Sequence, residues 1–276
     1  MTAKPIVDFI IVGAMKSGTT SLGFHLRRHP EVCIPRGEVH FFDNERHFEK
    51  GLAWYERQLG QHRTDRTVVT GEKTAAYAYD PKVAPRIREA FPDVKLVWVF
   101  REPVSRAYSN YIHAFRNGAL RLGFEEAVAR EPELMAKDIY FGYLERSRYA
   151  KQVERFLEYF PREQMHFMVF ERLIAEPAVE LDKLFRFIGV TGDGFEVIAE
   201  PRGRTALPRF QPSVWAARQL GGTGPLWQAV RFLNLALKKP GYPRLSRDLQ
   251  ARLKSELSAD NARLAELTGL DLSLWK

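Results

Sequence analysis

Short apolar runs rich in β-branched and aromatic residues alternate along this chain with longer stretches in which apolar positions recur at helical spacing. The first run, Phe9–Val12, follows Ile6 and Val7 and stops at Gly13, as a buried parallel strand does before its loop. Ser17–Arg28 reads as a helix whose hydroxyl residues suit N-terminal capping and which His29-Pro30 stops. Three further runs, Thr67–Thr70, Lys95–Phe100 and Met165–Phe170, predict strands. Helical patterns separate them: Pro81–Phe91, Pro103–Asn117, Tyr143–Phe160 and Pro177–Ile188, several opened by a proline at the first turn. This alternation predicts an α/β fold of three layers, a central mostly parallel sheet with helices on both faces and right-handed crossovers.

From about Glu200 the pattern changes to PRGRTALPRFQP and then the flexible LGGTGP, a loop region. Two helical patterns follow, Trp227–Lys238 and Arg247–Leu267, the second with Gly269 as its C-cap region, so the C-terminal portion is helical. No internal repeat or low-complexity tract divides the chain, and a single domain over residues 1–276 is expected.

Composition narrows the function classes modestly. The 45% hydrophobic content of these 276 residues is ordinary for a packed globular protein. Forty-two Lys and Arg against 34 Asp and Glu give +8, which favours anionic ligands without choosing among them. The single cysteine, Cys33, excludes an intrachain disulfide and a multi-cysteine metal site, and fits a reducing compartment. The opening MTAKPIVDFIIVGA is too short and too polar for a signal peptide or a membrane span, and no other segment reaches spanning length; a soluble, cytoplasmic protein is expected.

Gly13-Ala14-Met15-Lys16-Ser17-Gly18-Thr19-Thr20 joins the first strand to the first helix, where backbone N–H groups and the helix dipole favour phosphate. That makes the fold P-loop-type. In a nucleoside-triphosphatase loop, G-x-x-x-x-G-K-[ST], the lysine follows the second glycine. Here Thr19 holds that position and the lysine stands three places earlier, at Lys16; the strand Lys95–Phe100 ends in Arg101 where a metal-binding aspartate is often found.

Pro35-Arg36-Gly37-Glu38-Val39-His40-Phe41-Phe42 follows the first helix, then Lys50-Gly51-Leu52-Ala53-Trp54-Tyr55, then Gly71-Glu72-Lys73-Thr74 with Tyr77 and Pro81 behind it. Further on stands Val97-Trp98-Val99-Phe100-Arg101-Glu102-Pro103-Val104-Ser105-Arg106-Ala107-Tyr108-Ser109. In order and spacing these motifs, with Lys16, resemble the sulfotransferases that use 3′-phosphoadenosine 5′-phosphosulfate (PAPS), and among them the domain of the heparan sulfate N- and 3-O-sulfotransferases. Arg202-Gly203-Arg204 is similar to that family's Lys-Gly-Arg loop, with Arg in its first place, and the C-terminal stretch with Leu257, Asp260-Asn261, Leu264, Thr268-Gly269 and Trp275 resembles its closing helix. The likeness is weakest between Pro212 and Pro243, and the cysteine pair of several animal members is absent.

The resemblance implies transfer of a sulfuryl group from PAPS, leaving PAP, to a hydroxyl or amine of a carbohydrate or small metabolite, with no metal required and no nucleic-acid partner. Lys16 then contacts the 5′-phosphate and the departing oxygen, while Ser17, Gly18, Thr19 and Thr20 complete the 5′-phosphate site. Arg101, at a strand's C-terminal edge, and Ser109, two turns into the next helix, take the 3′-phosphate. Gly203 and Arg204 close over the nucleotide, within a loop-and-helix region of about residues 200–245 covering the cleft. Glu38 faces the acceptor as base, with its pKa raised by burial. His40 shares Glu38's side of an extended segment and orients the acceptor or assists the proton, and Lys73 approaches both sulfuryl group and acceptor. Glu72 supports packing or hydrogen bonding; Phe41, Phe42, Trp54 and Tyr55 are core or cleft wall. Two rival readings predict different behaviour: a P-loop kinase requires magnesium and prefers ATP, and a non-catalytic binder of polyanions shows salt-dependent binding without turnover.

Overall fold

The computed structural model describes residues 7–198, 206–207, 210–236, 239–240 and 244–275. Five parallel strands, β1 (Phe9–Gly13), β2 (Val32–Cys33), β3 (Val69–Lys73), β4 (Lys95–Phe100) and β5 (Met165–Val169), form one sheet in the order β2-β3-β1-β4-β5. Helices α1 (Thr19–Arg28), α2 (Glu45–Phe48), α3 (Leu52–Gly60), α4 (Val83–Ala90) and α5 (Pro103–Arg116) lie between the first strands or follow β4. After them come α6 (Phe124–Ala129), α7 (Glu131–Met135), α8 (Tyr149–Leu157), α9 (Phe170–Ala175) and α10 (Pro177–Ile188). The chain continues through α11 (Gln211–Gly221), α12 (Pro225–Ala236) and α13 (Arg247–Thr268), with a two-residue antiparallel pair, β6 (Ala206–Leu207) and β7 (Lys239–Pro240).

Strand residues alternate between two cores, which is why β1 and β4 read as continuous apolar runs. Ile10, Val12, Leu96, Trp98, Phe100, Phe167 and Val169 pack with residues of α3, α4 and α8 and with Leu264 and Trp275. Phe9, Ile11, Val97, Val99 and Met168 pack on the other face against α1 and α10. The expected three-layer sheet is present, and all five of its strands are parallel.

The chain divides into two compact units: residues 1–102, 148–200 and 259–276, which hold the sheet, and residues 103–147 and 201–258. The second has its own apolar cluster, in which Val104, Ala107, Tyr111 and Ile112 of α5 meet Phe124, Leu134, Tyr143, Leu253 and Leu257. Within it the fully buried Arg106 donates from Nε to Ser147 Oγ (2.9 Å) and from Nη2 to the Tyr143 carbonyl (2.6 Å). Those bonds occupy a carbonyl that a helix would need, and the helix expected over Tyr143–Phe160 is accordingly interrupted. A 3₁₀ turn at Glu145–Ser147 precedes α8, which starts only at Tyr149. α11 and β2 were not expected from the sequence pattern.

The core tolerates no side chain at Gly71, in the middle of β3, because an added Cβ would stand 2.4 Å from Cζ of Phe9 on the neighbouring strand. Gly71→Ala is expected to lower unfolding free energy by about 1–3 kcal/mol through overpacking, measured by urea denaturation; an unchanged midpoint would contradict this packing.

Candidate active site

β3, β1 and β4 are neighbours and parallel, so their C-terminal ends share one edge of the sheet, where ligands of open α/β sheets bind. β1 leads into the Gly13–Thr20 loop. Its path is held to the adjoining strand and segment by Ala14 N–H donating to the Val99 carbonyl (2.9 Å) and Ala78 N–H donating to that of Val12 (2.8 Å). Lys16 (φ 71°) and Gly18 (φ 89°) adopt left-handed backbone conformations, so the loop curls before α1 begins at Thr19. A Cβ on Gly18 would meet the Phe170 ring at 2.4 Å, a second reason for glycine there.

The expected hydroxyl cap is not found: Gly18 holds the N-cap position and no side chain bonds the helix start. Ser17 is fully buried instead, and its Oγ has no hydrogen-bond partner among the described residues. Thr19 is buried, Thr20 exposed and Lys16 half-buried. A buried, unpartnered hydroxyl at the positive end of a ten-residue helix is what a phosphate oxygen would satisfy.

Arg101, just past β4, joins this loop. Its Nη1 donates to the Lys16 carbonyl (3.4 Å), and its guanidinium lies 5.2 Å from the Phe170 ring centroid. Tyr149 Oη donates to the Arg101 carbonyl (3.0 Å), and Glu171 accepts from Glu102 N–H (3.0 Å) and the Trp275 indole (3.0 Å). Lys16 and Arg101 are thus brought together. Ser109 is half-buried on α5, in the second unit. Gly203 and Arg204 lie outside the described residues.

At the end of β3 the buried Lys73 donates from Nζ to Glu38 Oε1 at 2.5 Å. Its stem lies along α1, with Cδ 3.6 Å from where a Cβ on Gly23 would stand, so it runs beside the helix that the phosphate loop begins. Glu38 Oε2 is 3.4 Å from His40 Nε2, and His40 Nδ1 is 2.9 Å from Asp43 Oδ2. Lys73, Glu38 and His40 are therefore assembled, together with an acid, Asp43, that motif reading did not single out. Its only sequence signal is its position three residues after a site histidine.

Two expectations are corrected here. The segment is not extended at His40, whose φ of 51° is left-handed; the turn, not strand alternation, brings Nε2 back to Glu38. Nor is the pKa of Glu38 raised. Burial does push it upward, but hydrogen bonds from His40 and the Lys73 ammonium outweigh burial and hold the carboxyl at about 2. His40 is raised to about 10, foremost by its bond to Asp43 and next by Glu38, against the effect of burial.

Side-chain hydroxyls hold the turn in place. Thr74 Oγ1 accepts from His40 N–H (3.3 Å), and Tyr77 Oη accepts from the N–H groups of Phe41 (2.8 Å) and Phe42 (3.2 Å). Thr74 Oγ1 in turn donates to Glu72 Oε2 (3.3 Å). Glu72 is fully buried, and burial raises its pKa to about 7 in spite of the Tyr77 and Tyr55 hydroxyls. Of the four aromatics read as core or cleft wall, Phe41, Phe42 and Tyr55 are core, and Trp54 is partly buried against it.

A family model described as the sulfotransferase domain matches residues 7–200, the span that carries the loop, Glu38, Lys73 and Arg101. The chain belongs to the sulfotransferase domain family. Mouse heparan sulfate glucosamine 3-O-sulfotransferase 3B1 is 31% identical over 272 residues, 98% of this chain and 65% of that protein. Human heparan sulfate glucosamine 3-O-sulfotransferase 6 is 32% identical over 265 residues, covering 95% of this chain and 72% of that one. The chain thus spans just under two thirds of the first of these relatives. Among solved structures, a sulfotransferase from Alicyclobacillus acidocaldarius superposes with a TM-score of 0.73 at 28% identity, over 99% of both chains.

The pKa shifts set a pH window for this family member's site. Glu38 lies below its ordinary 4.5, so its contribution to stability is complete above that pH and lost as pH falls toward 2. His40 lies above its ordinary 6.5, so its contribution is complete below that pH and lost as pH rises through about 10. The stability difference between wild type and His40→Gln, from urea titrations, is expected to be greatest between about pH 4.5 and 6.5 and to shrink toward pH 10. A difference independent of pH would contradict the pairing.

Proposed function

We propose that the chain transfers the sulfuryl group of PAPS to a hydroxyl or amine of a carbohydrate or small-metabolite acceptor. The observation that carries this reading is the meeting, at one sheet edge, of a phosphate-type loop bearing Lys16 and a charged cluster of Lys73, Glu38, His40 and Asp43. The donor fits the first of these: Ser17 Oγ and the N–H groups opening α1 receive the 5′-phosphate, with Lys16 neutralising the departing oxygen and Arg101 taking the 3′-phosphate. Thr19 and Thr20 complete the 5′-phosphate site in this reading.

In the transfer the acceptor oxygen or nitrogen bonds to sulfur as the bond from sulfur to the 5′-phosphate oxygen breaks, releasing PAP, and Glu38 takes the acceptor proton. With Lys73 bonded to it, Glu38 is far too weak a base. Lys73 therefore swings from Glu38 to the sulfuryl oxygens. Once it leaves, burial raises the basicity of Glu38 against the one remaining restraint, its hydrogen bond with His40, which the incoming acceptor proton must displace. His40, charged and braced by Asp43, orients the acceptor. The transfer requires no metal. The identity with glucosamine 3-O-sulfotransferases supports a sugar acceptor. A reducing, cytoplasmic setting belongs to the same proposal, supported by the lone Cys33.

Calorimetry tests the donor. PAP is expected to bind about 10- to 100-fold more tightly than 5′-AMP, the range of a charge-assisted contact to the 3′-phosphate, and Lys16→Ala to lower turnover with PAPS by about 10²–10³-fold. No binding of PAP, or preference for ATP with magnesium, overturns the reading.

A further inference from the structure

The positive charge of this chain is gathered into one stretch. Nine of the 42 Lys and Arg, and not one Asp or Glu, fall between residues 201 and 247, leaving 33 basic against 34 acidic residues elsewhere. The entire +8 excess therefore resides there.

The same stretch contains α11 and α12, and α12 is apolar on two sides. Inward, Trp227 and Val230 pack with Val214 and Ala217 of α11, and the Trp227 indole donates to the Asn117 carbonyl (3.1 Å). Outward, Leu226, Phe232 and Leu233 are 54%, 72% and 61% exposed. At helical spacing these three, with the exposed Pro225 and Ala229, occupy one continuous arc of about 120°. At the end of α11, Leu220 is 82% exposed. A helix usually turns one apolar face to the protein and polar residues outward, so a second, exposed apolar face of this kind marks an interaction site.

We propose that the α11–α12 hairpin docks on an anionic lipid surface, with Leu226, Phe232 and Leu233 entering the boundary between headgroups and acyl chains. Charge selects this occupant. A second copy of the chain would set one carboxylate-free basic stretch against another, and like charges repel. A soluble acidic protein needs only local complementarity, whereas a planar field of negative headgroups disfavours every carboxylate near it, and residues 201–247 have none. Arg244 and Arg247 are exposed and add positive charge to the stretch. The twelve-residue α12 is about 18 Å long, which suits lying in the interface rather than crossing it, and no described helix is long and apolar enough to cross a membrane.

Co-sedimentation of the full chain with vesicles tests the proposal, independently of the transfer reaction. Binding is expected to vesicles of mixed phosphatidylglycerol and phosphatidylcholine, weakening with salt, and to be about tenfold or more weaker with pure phosphatidylcholine. Phe232→Ser with Leu233→Ser, both exposed, is expected to weaken binding at least about tenfold while the thermal transition stays in place. Arg244→Gln with Arg247→Gln is expected to weaken it selectively at low salt. The proposal is overturned if the chain ignores anionic vesicles at low salt, or if the serine pair binds them as wild type does. It is also overturned if the serine pair instead abolishes self-association seen by light scattering.

Discussion

The bond between Lys73 and Glu38 is the constraint on which the site turns. A buried lysine at the end of a central strand needs a counter-ion, and at 2.5 Å the Glu38 carboxylate supplies it. That pairing draws the Glu38 turn against the sheet edge and keeps its carboxyl ionised, while His40 and Asp43 extend the alternation of charge outward. The resting arrangement is a closed electrostatic circuit. In it Glu38 is a weak base, held so by His40 and Lys73 together, and in the proposed reaction the negative sulfuryl oxygens draw Lys73 away and remove one of those two restraints.

Around this pair the fold works as a rigid jig. Two apolar cores clamp the parallel strands from both faces, so the ends of β3, β1 and β4 hold fixed spacing. Lys73 ends β3, the phosphate loop continues β1, and Arg101 follows β4. The turn carrying Glu38 and His40 belongs to no strand, and three successive backbone N–H groups there are taken by the hydroxyls of Thr74 and Tyr77, which follow Lys73 in the chain. The segment that supplies the lysine also braces the turn that supplies its partner, and buried Glu72 accepts from Thr74 behind them.

The fold was legible wherever local chemistry punctuated the pattern. β4 and α10 have the boundaries read from the sequence, since each is a strong apolar period bracketed by proline or glycine. The helix over Tyr143–Phe160 was misread because its break comes from Arg106, a residue far away along the chain. The two-residue β2 carries no period at all, and α11 lies between proline- and glycine-rich flanks that look like loop. Within the site, motif spacing found Lys16, Glu38, His40, Lys73 and Arg101. It missed the left-handed backbone at His40, which makes Asp43 a partner, and it reversed the pKa of Glu38 by weighing burial without the two cations beside it.

Transfer of sulfur-35 label from PAPS to a panel of sugar and small-metabolite acceptors, comparing wild type with Glu38→Gln, bears most directly on the central claim. Labelled product is expected with wild type, and a rate about 10²–10⁴-fold lower with Glu38→Gln. Equal turnover by the two proteins would contradict it.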